Sequence, residues 1–204
     1  LIPSCKHHFH LDQFQSQLID FAFYTAYYIG ALVLFIISTL RKSDIVGSWG
    51  YKKSIIYGLL FSAVGAVAMI IGVKTDAYLG MLAGLFVVAL GYSLQQTAAN
   101  PFAIALGDPK TGSDRINLGG SINSFGTTIG PIILSLALFG AVGEITASKI
   151  DTLNLNNVVV LYSVVGVLFV LAAAIFFFSK KVPACIQESK VETSNKALWL
   201  FFII

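Results

Sequence analysis

The chain has 204 residues, of which 56% are hydrophobic and 11% charged, with a formal net charge of +3. Soluble domains carry about 25% charged residues and 45–50% apolar ones, so a water-soluble fold of this length cannot hide so much hydrocarbon. The small positive balance sits in short gaps between apolar runs, which makes it a feature of membrane topology and no basis for nucleic-acid binding.

In chain order, the first ten residues hold Cys5, His7, His8 and His10. Two readings stand side by side, a metal cluster and a solvated outer loop, and the spacing matches no structural zinc site. Five charge-free stretches follow, at 21–40, 54–73, 77–107, 116–143 and 152–179. A helix needs roughly 20 apolar residues to cross about 30 Å of hydrocarbon, and each stretch is long enough. Backbone groups in lipid must be satisfied internally, which leaves helices or a closed barrel. Barrel strands are about ten residues long and alternate in polarity, unlike these runs. The fold class expected is therefore all-α and polytopic. The chain opens on Leu1 and closes on an apolar run, 197–204, too short to span. We expect complete spans bracketed by partial ones: a bundle over 1–179, a polar cytoplasmic linker over 180–196, and the start of a further helix at 197–204.

Basic residues decide sidedness. Of thirteen, all but Lys6, Lys74 and Lys149 fall in alternate gaps, at Arg41, Lys42, Lys52 and Lys53, then Lys110 and Arg115, then the segment after 179. That side is cytoplasmic. Cys5 is then outside and Cys185 inside, and no disulfide joins them across a bilayer.

Polar side chains within spans are costly in hydrocarbon and are functional candidates. The third charge-free stretch carries Gln95, Gln96, Thr97 and Asn100, then Pro101. Gln96 and Asn100 are four apart and share a helix face. Pro101 lacks a donor and disturbs the carbonyl of Thr97. Amides both donate and accept, which suits a sugar's hydroxyls. A packing kink with interhelical amide bonds explains the same residues. The fourth stretch supplies Asn123 and Thr127 one turn apart, with Asn117, Ser121, Ser124 and Thr128 nearby. The glycine pairs Gly126/Gly130 and Gly80/Gly84 fit close helix contact. Asp20, at the outer edge of the first stretch, reads either as a cation-coupling acid or as an interfacial residue favoured by a helix N-terminus. Tyr24 and its aromatic neighbours stack on a sugar or form an interfacial belt. The segment from Gly107 to Gly112 lacks the Gly-Lys-Ser/Thr ending of a phosphate loop. No catalytic triad or intramembrane metal pair is evident, so no enzyme and no cofactor is expected.

Residues 91–131 hold TAANPF from Thr97 to Phe102, a turn at Gly107 to Pro109, RINL from Arg115 to Leu118, and NSFG from Asn123 to Gly126. In this order and spacing they resemble the fucose and glucose/galactose symporter family of the major facilitator superfamily. The resemblance runs the whole chain. Leu1 to Pro3 looks like the outer end of a first helix, 16–24 like the opening of the second, and 50–53 like the inner loop before the third. It implies an integral protein of the bacterial inner membrane. The chain corresponds there to an N-terminal six-helix bundle with a truncated first helix, completed by a missing C-terminal six-helix half. It also implies hexose uptake by cation symport with alternating access, with Na+ or H+ co-transported. Gln96, Asn100, Asn123, Gln95, Thr127 and Tyr24 are the residues expected at the sugar, and Asp20 at the cation. Fucose–proton symporters carry a glutamate where this chain has Gln96, which cannot titrate. The position therefore looks more like the glucose/galactose branch. A transporter-like sugar sensor and a non-transporting membrane subunit are the alternatives from other classes.

Overall fold

The computed structural model describes residues 11–139, 155–180 and 182–186, which are helical apart from short connections. Cys5 and the three histidines lie outside them. Among the described residues no group of His, Cys, Asp and Glu could hold a metal.

Helix α1 runs Gln13–Arg41 and α2 is a short turn, Ile45–Trp49. Then come α3, Tyr51–Lys74, and α4, Tyr78–Ala105. A 3-10 turn at Pro109–Thr111 leads into α5, Gly112–Phe139, and α6 is Leu155–Phe178. Four described segments are long and apolar enough to cross a membrane: Gln13–Arg41, Tyr51–Lys74, Tyr78–Ala105 and Val158–Phe178. Helix α5 is as long as α4, at 28 residues. Its amides and hydroxyls dilute its apolarity, which is why it stands apart from the other four.

The first described span starts earlier than charge alone suggests. Asp12 and Gln15 form a capping box. The Gln15 N–H donates to Asp12 Oδ1 at 2.6 Å, and the Asp12 N–H donates to Gln15 Oε1 at 3.1 Å. Two of the orphan donors at a helix start are thereby satisfied. With 29 residues, α1 is about 43 Å long, well beyond the roughly 30 Å of hydrocarbon. Asp20 therefore sits two turns inside the helix. Helix-terminus effects fade within the first turn, so an N-terminal dipole does not account for this acid.

Helices α3 and α4 make the most extensive contact in the bundle. Glycine sets their spacing. Gly58, Gly65 and Gly72 recur every seven residues on α3 and face Gly84 and Gly91 on α4. A Cβ at Gly65 would lie 2.5 Å from Val88 N, and one at Gly84 2.5 Å from Met69 N. A Cβ at Gly58 would meet Gly91 O at 2.7 Å. Backbones this close gain dispersion contact that lipid cannot match. Of the two glycine pairs expected from sequence, Gly84 sits in this seam and Gly80 borders it. Gly126 and Gly130 meet nothing within 4 Å among the described residues.

Two apolar clusters close the ends of the seam. The outer one gathers Ile19, Met69, Val73, Met81, Leu85 and Val158. The inner one gathers Val46, Tyr51, Ile55, Leu59, Phe102 and Ala173. Polar clamps hold each end. Outside, Tyr78 OH donates to Gln15 O at 2.6 Å. Inside, Arg115 donates to Ala103 O at 2.6 Å, Ile104 O at 2.7 Å and Asp108 O at 3.0 Å. The first two are carbonyls that the end of α4 leaves without intrahelical partners, and Asp108 O belongs to the turn that follows. Lys52 Nζ holds the chain just past the end of α6, donating to Ser179 O at 2.7 Å and Val182 O at 3.2 Å. Arg115, Lys52 and the C-terminal end of α1 with Arg41 thus lie at one end of the bundle, the end the charge pattern makes cytoplasmic. The described part of the expected linker, 182–186, lies against this end: Val182 and Cys185 pack on the inner cluster.

Candidate functional site

The polar residues of α4 divide between two faces. Gln95 turns toward α3, where its Nε2 donates to Ser62 Oγ at 3.0 Å, and Ser62 donates on to Val88 O at 3.3 Å. This is an interhelical amide bond inside the glycine seam. Gln96 turns away from it. Its Nε2 donates to the Tyr92 hydroxyl one turn earlier, at 2.6 Å. Asn100, a turn beyond Gln96, is exposed, as is Thr97. Thr97 Oγ1 donates back to Ser93 O at 2.9 Å. Pro101 lies inside α4 and has no N–H to offer the Thr97 carbonyl. Helix α4 nonetheless continues to Ala105.

Helix α1 reaches this face with aromatic rings. The Tyr92 ring lies 6.2 Å from Phe23 and 5.9 Å from Tyr27, in tilted geometry. Phe23 in turn meets Tyr24 edge-to-face at 5.7 Å. The approach needs Gly30, where a Cβ would lie 2.9 Å from the side chain of Ser93. Ser93 itself is buried, and its hydroxyl has no hydrogen-bond partner among the described residues. Tyr24 is 69% exposed. Asp20, four residues before it, shares its exposed stripe on α1.

Helix α5 contributes a polar, exposed surface. An open groove of about 840 Å³ runs along it, bordered by Asn117, Gly120, Ser121, Ser124, Phe125 and Thr128. Its hydroxyls are turned inward to their own helix. Ser121 donates to Asn117 O, and Thr127 and Thr128 both donate to Ser124 O, each at 2.9 Å. Such back-bonds satisfy a hydroxyl without a partner helix. Asn123 is exposed beside this groove. Among the described residues no hydrogen bond joins Asn123 or Thr127 to α4.

The structure thus brings together Gln96 and Tyr24 through Tyr92 and Phe23, places Asn100 on the same side of α4, and separates Gln95 onto the packing face. Tyr92 does not stand out in the sequence, because an aromatic ring within an apolar span is unexceptional where an amide is not. Its i, i+4 relation to Gln96 was the available signal.

This bundle of long apolar helices around glycine seams, with an amide face on α4 and a polar α5, has the architecture of a membrane transporter half. The chain belongs to the Major Facilitator Superfamily, which matches residues 1–203. It is 35% identical over 198 residues to a glucose/galactose transporter of Brucella abortus, covering 96% of this chain and 44% of that protein. To a putative glucose/galactose transporter of Helicobacter pylori it is 32% identical, covering 98% of this chain and 47% of the relative. To the L-fucose-proton symporter of Escherichia coli it is 36% identical over 129 residues, 63% of this chain and 28% of that protein. In three dimensions it matches the crystal structure of FucP, a superfamily transporter in the outward conformation. The TM-score is 0.70 at 28% identity, over 95% of this chain and 47% of the other. The chain spans about half the length of the curated relatives it matches. It is an integral membrane protein of this superfamily, with relatives that are named as sugar transporters.

Proposed function

We propose that the chain forms one half of a hexose carrier of the bacterial inner membrane, working with a second six-helix half by cation symport and alternating access. The observation that carries this reading is the Gln96 amide. Its N–H is committed to Tyr92 OH at 2.6 Å, so its carbonyl oxygen is left to accept from a sugar hydroxyl. Asn100 and Asn123 add amides that both donate and accept. Tyr24 offers an exposed ring for the apolar face of a hexose. Thr127 stands a turn from Asn123. Gln95 supports the site from behind through Ser62.

Gln96 has no proton to exchange, so cation coupling falls to another group. Asp20, exposed on the α1 stripe below Tyr24, is the acid proposed for it. Counterflow of labelled glucose, galactose and fucose in proteoliposomes holding the full-length protein tests the reading. Asn123→Ala is expected to weaken exchange about tenfold or more, the effect of losing a hydrogen bond to a buried polar ligand. Unchanged exchange removes Asn123 from the site. Replacing sodium with choline at fixed pH separates sodium from proton coupling, and Asp20→Asn is expected to abolish whichever dependence appears.

A further inference from the structure

At the cytoplasmic end, away from the amide face, three segments enclose a concavity of about 620 Å³. Ser48 and Trp49 come from α2, Lys53 and Tyr57 from the first turns of α3, and Ile186 from the chain after α6. The walls are held in place. Lys52 clamps Ser179 O and Val182 O, and Cys185 Sγ donates to Ala105 O at 3.8 Å. Gly50, at φ +87°, lets the backbone turn beneath Ala184, whose carbonyl oxygen would lie 3.0 Å from a Cβ there. A side chain at that position is strained and presses on Ile186, which lines the concavity.

Along α3 the lining is ordered by depth. Lys53, in its first turn, lies nearest the cytoplasmic end of that helix and has no ion-pair or hydrogen-bond partner among the described residues. Its neighbours are already engaged: Lys52 on carbonyls, and Asp44 accepting from Tyr51 OH at 3.4 Å. One turn deeper, about 6 Å along the helix, is Tyr57, 54% exposed; Trp49, 46% exposed, borders the same concavity from the end of α2. Deeper again on the same stripe of α3 come Phe61 and Val64, 47% and 62% exposed. Along α3 the order is cation, then phenol, then hydrocarbon, the polarity sequence of a phospholipid read from its phosphate inward, and the Trp49 indole borders its polar end. Trp and Tyr favour the headgroup level, and lysine the anionic inner surface.

We propose that this concavity binds an anionic phospholipid of the inner leaflet. Lys53 holds the phosphate, the Trp49 indole N–H and Tyr57 hydroxyl donate to ester oxygens, and an acyl chain lies along Phe61 and Val64. The site is independent of the sugar path.

The test uses Trp49 as its own probe. The sequence holds two tryptophans, and Trp199→Phe leaves Trp49 alone. The chain is reconstituted in phosphatidylcholine vesicles with a fixed minor fraction of brominated lipid, either phosphatidylglycerol or phosphatidylcholine. Brominated phosphatidylglycerol is expected to quench Trp49 as if locally enriched about fivefold, the preference one lysine exerts at a membrane surface. Lys53→Gln abolishes the enrichment, whereas Lys53→Arg and Lys42→Gln retain it. Equal quenching by both lipids, or enrichment surviving Lys53→Gln, overturns the proposal. Enrichment abolished by millimolar inorganic phosphate also overturns it, because the site then takes free phosphate. Where Lys53→Gln does not insert, the two-lipid comparison and phosphate competition on the parent chain decide alone.

Discussion

The Gln96 amide is oriented by its own helix and by α1 together. Tyr92 receives its N–H, and Phe23 and Tyr27 hold the Tyr92 ring. Tyr92→Phe removes the hydroxyl and keeps the ring, so packing survives while the amide loses its anchor. A typical hydrogen bond contributes about 1 kcal/mol, so hexose affinity is expected to fall about fivefold with little change in thermal stability. Concentration-dependent counterflow measures the first and detergent melting the second. Unaltered affinity means the phenol does not set the amide. The amides themselves were legible in the sequence, because polar atoms among apolar ones stand out. Which way each turns was not. Gln95 and Gln96 are adjacent, and only the position of α3 decides that Ser62 takes the first while the second is left to Tyr92.

Among elements, the α3–α4 seam is the most sensitive to side-chain size. Gly65→Val places atoms 2.5 Å from the Val88 backbone nitrogen, where no rotamer relieves the clash. Overpacking of this kind costs about 1–3 kcal/mol, and a backbone neighbour puts it at the upper end. Gly119→Ala is the contrast. Nothing lies within 4 Å of its Cβ position, and alanine favours a helix interior over glycine by about 1 kcal/mol. The first variant is expected to melt several degrees lower and the second no lower than the parent. Similar melting for both would show that the seam has room to separate. Sequence offered Gly80 and Gly84 as a contact pair and equally Gly126 and Gly130. Spacing alone does not reveal whether a partner helix is present, so only the first pair could be distinguished once α3 was placed.

Across the whole molecule, two kinds of exposed surface differ in composition. The α3–α6 side is almost wholly hydrocarbon, with Val67, Val167, Val170 and Leu171 around an apolar hollow of about 390 Å³ in which the Ser163 hydroxyl is bonded back to Val159 O. The α5 side carries Asn117, Ser121, Ser124 and Thr128 along its groove. Lipid suits the first surface and water the second. With the full-length protein in membranes, Ser124→Cys is expected to react with a water-soluble maleimide and to be protected by hexose, while Val167→Cys stays unreactive. Labelling at Val167 with none at Ser124 would reverse the assignment of faces.

The sequence by itself determined the helical class and the family, and set the expectation of sidedness. Each depends on local or summed properties: uninterrupted apolar length against the thickness of a bilayer, positive charge in alternate gaps, and ordered motifs between residues 91 and 131. The tertiary structure alone decided where α1 begins relative to its neighbours, which glycines touch, and which amide faces a helix and which a ring. Those outcomes depend on distances between segments far apart in the chain. One helix turned by a single residue, about 100°, would exchange Gln95 for Gln96 at the site without changing anything the periodicity records.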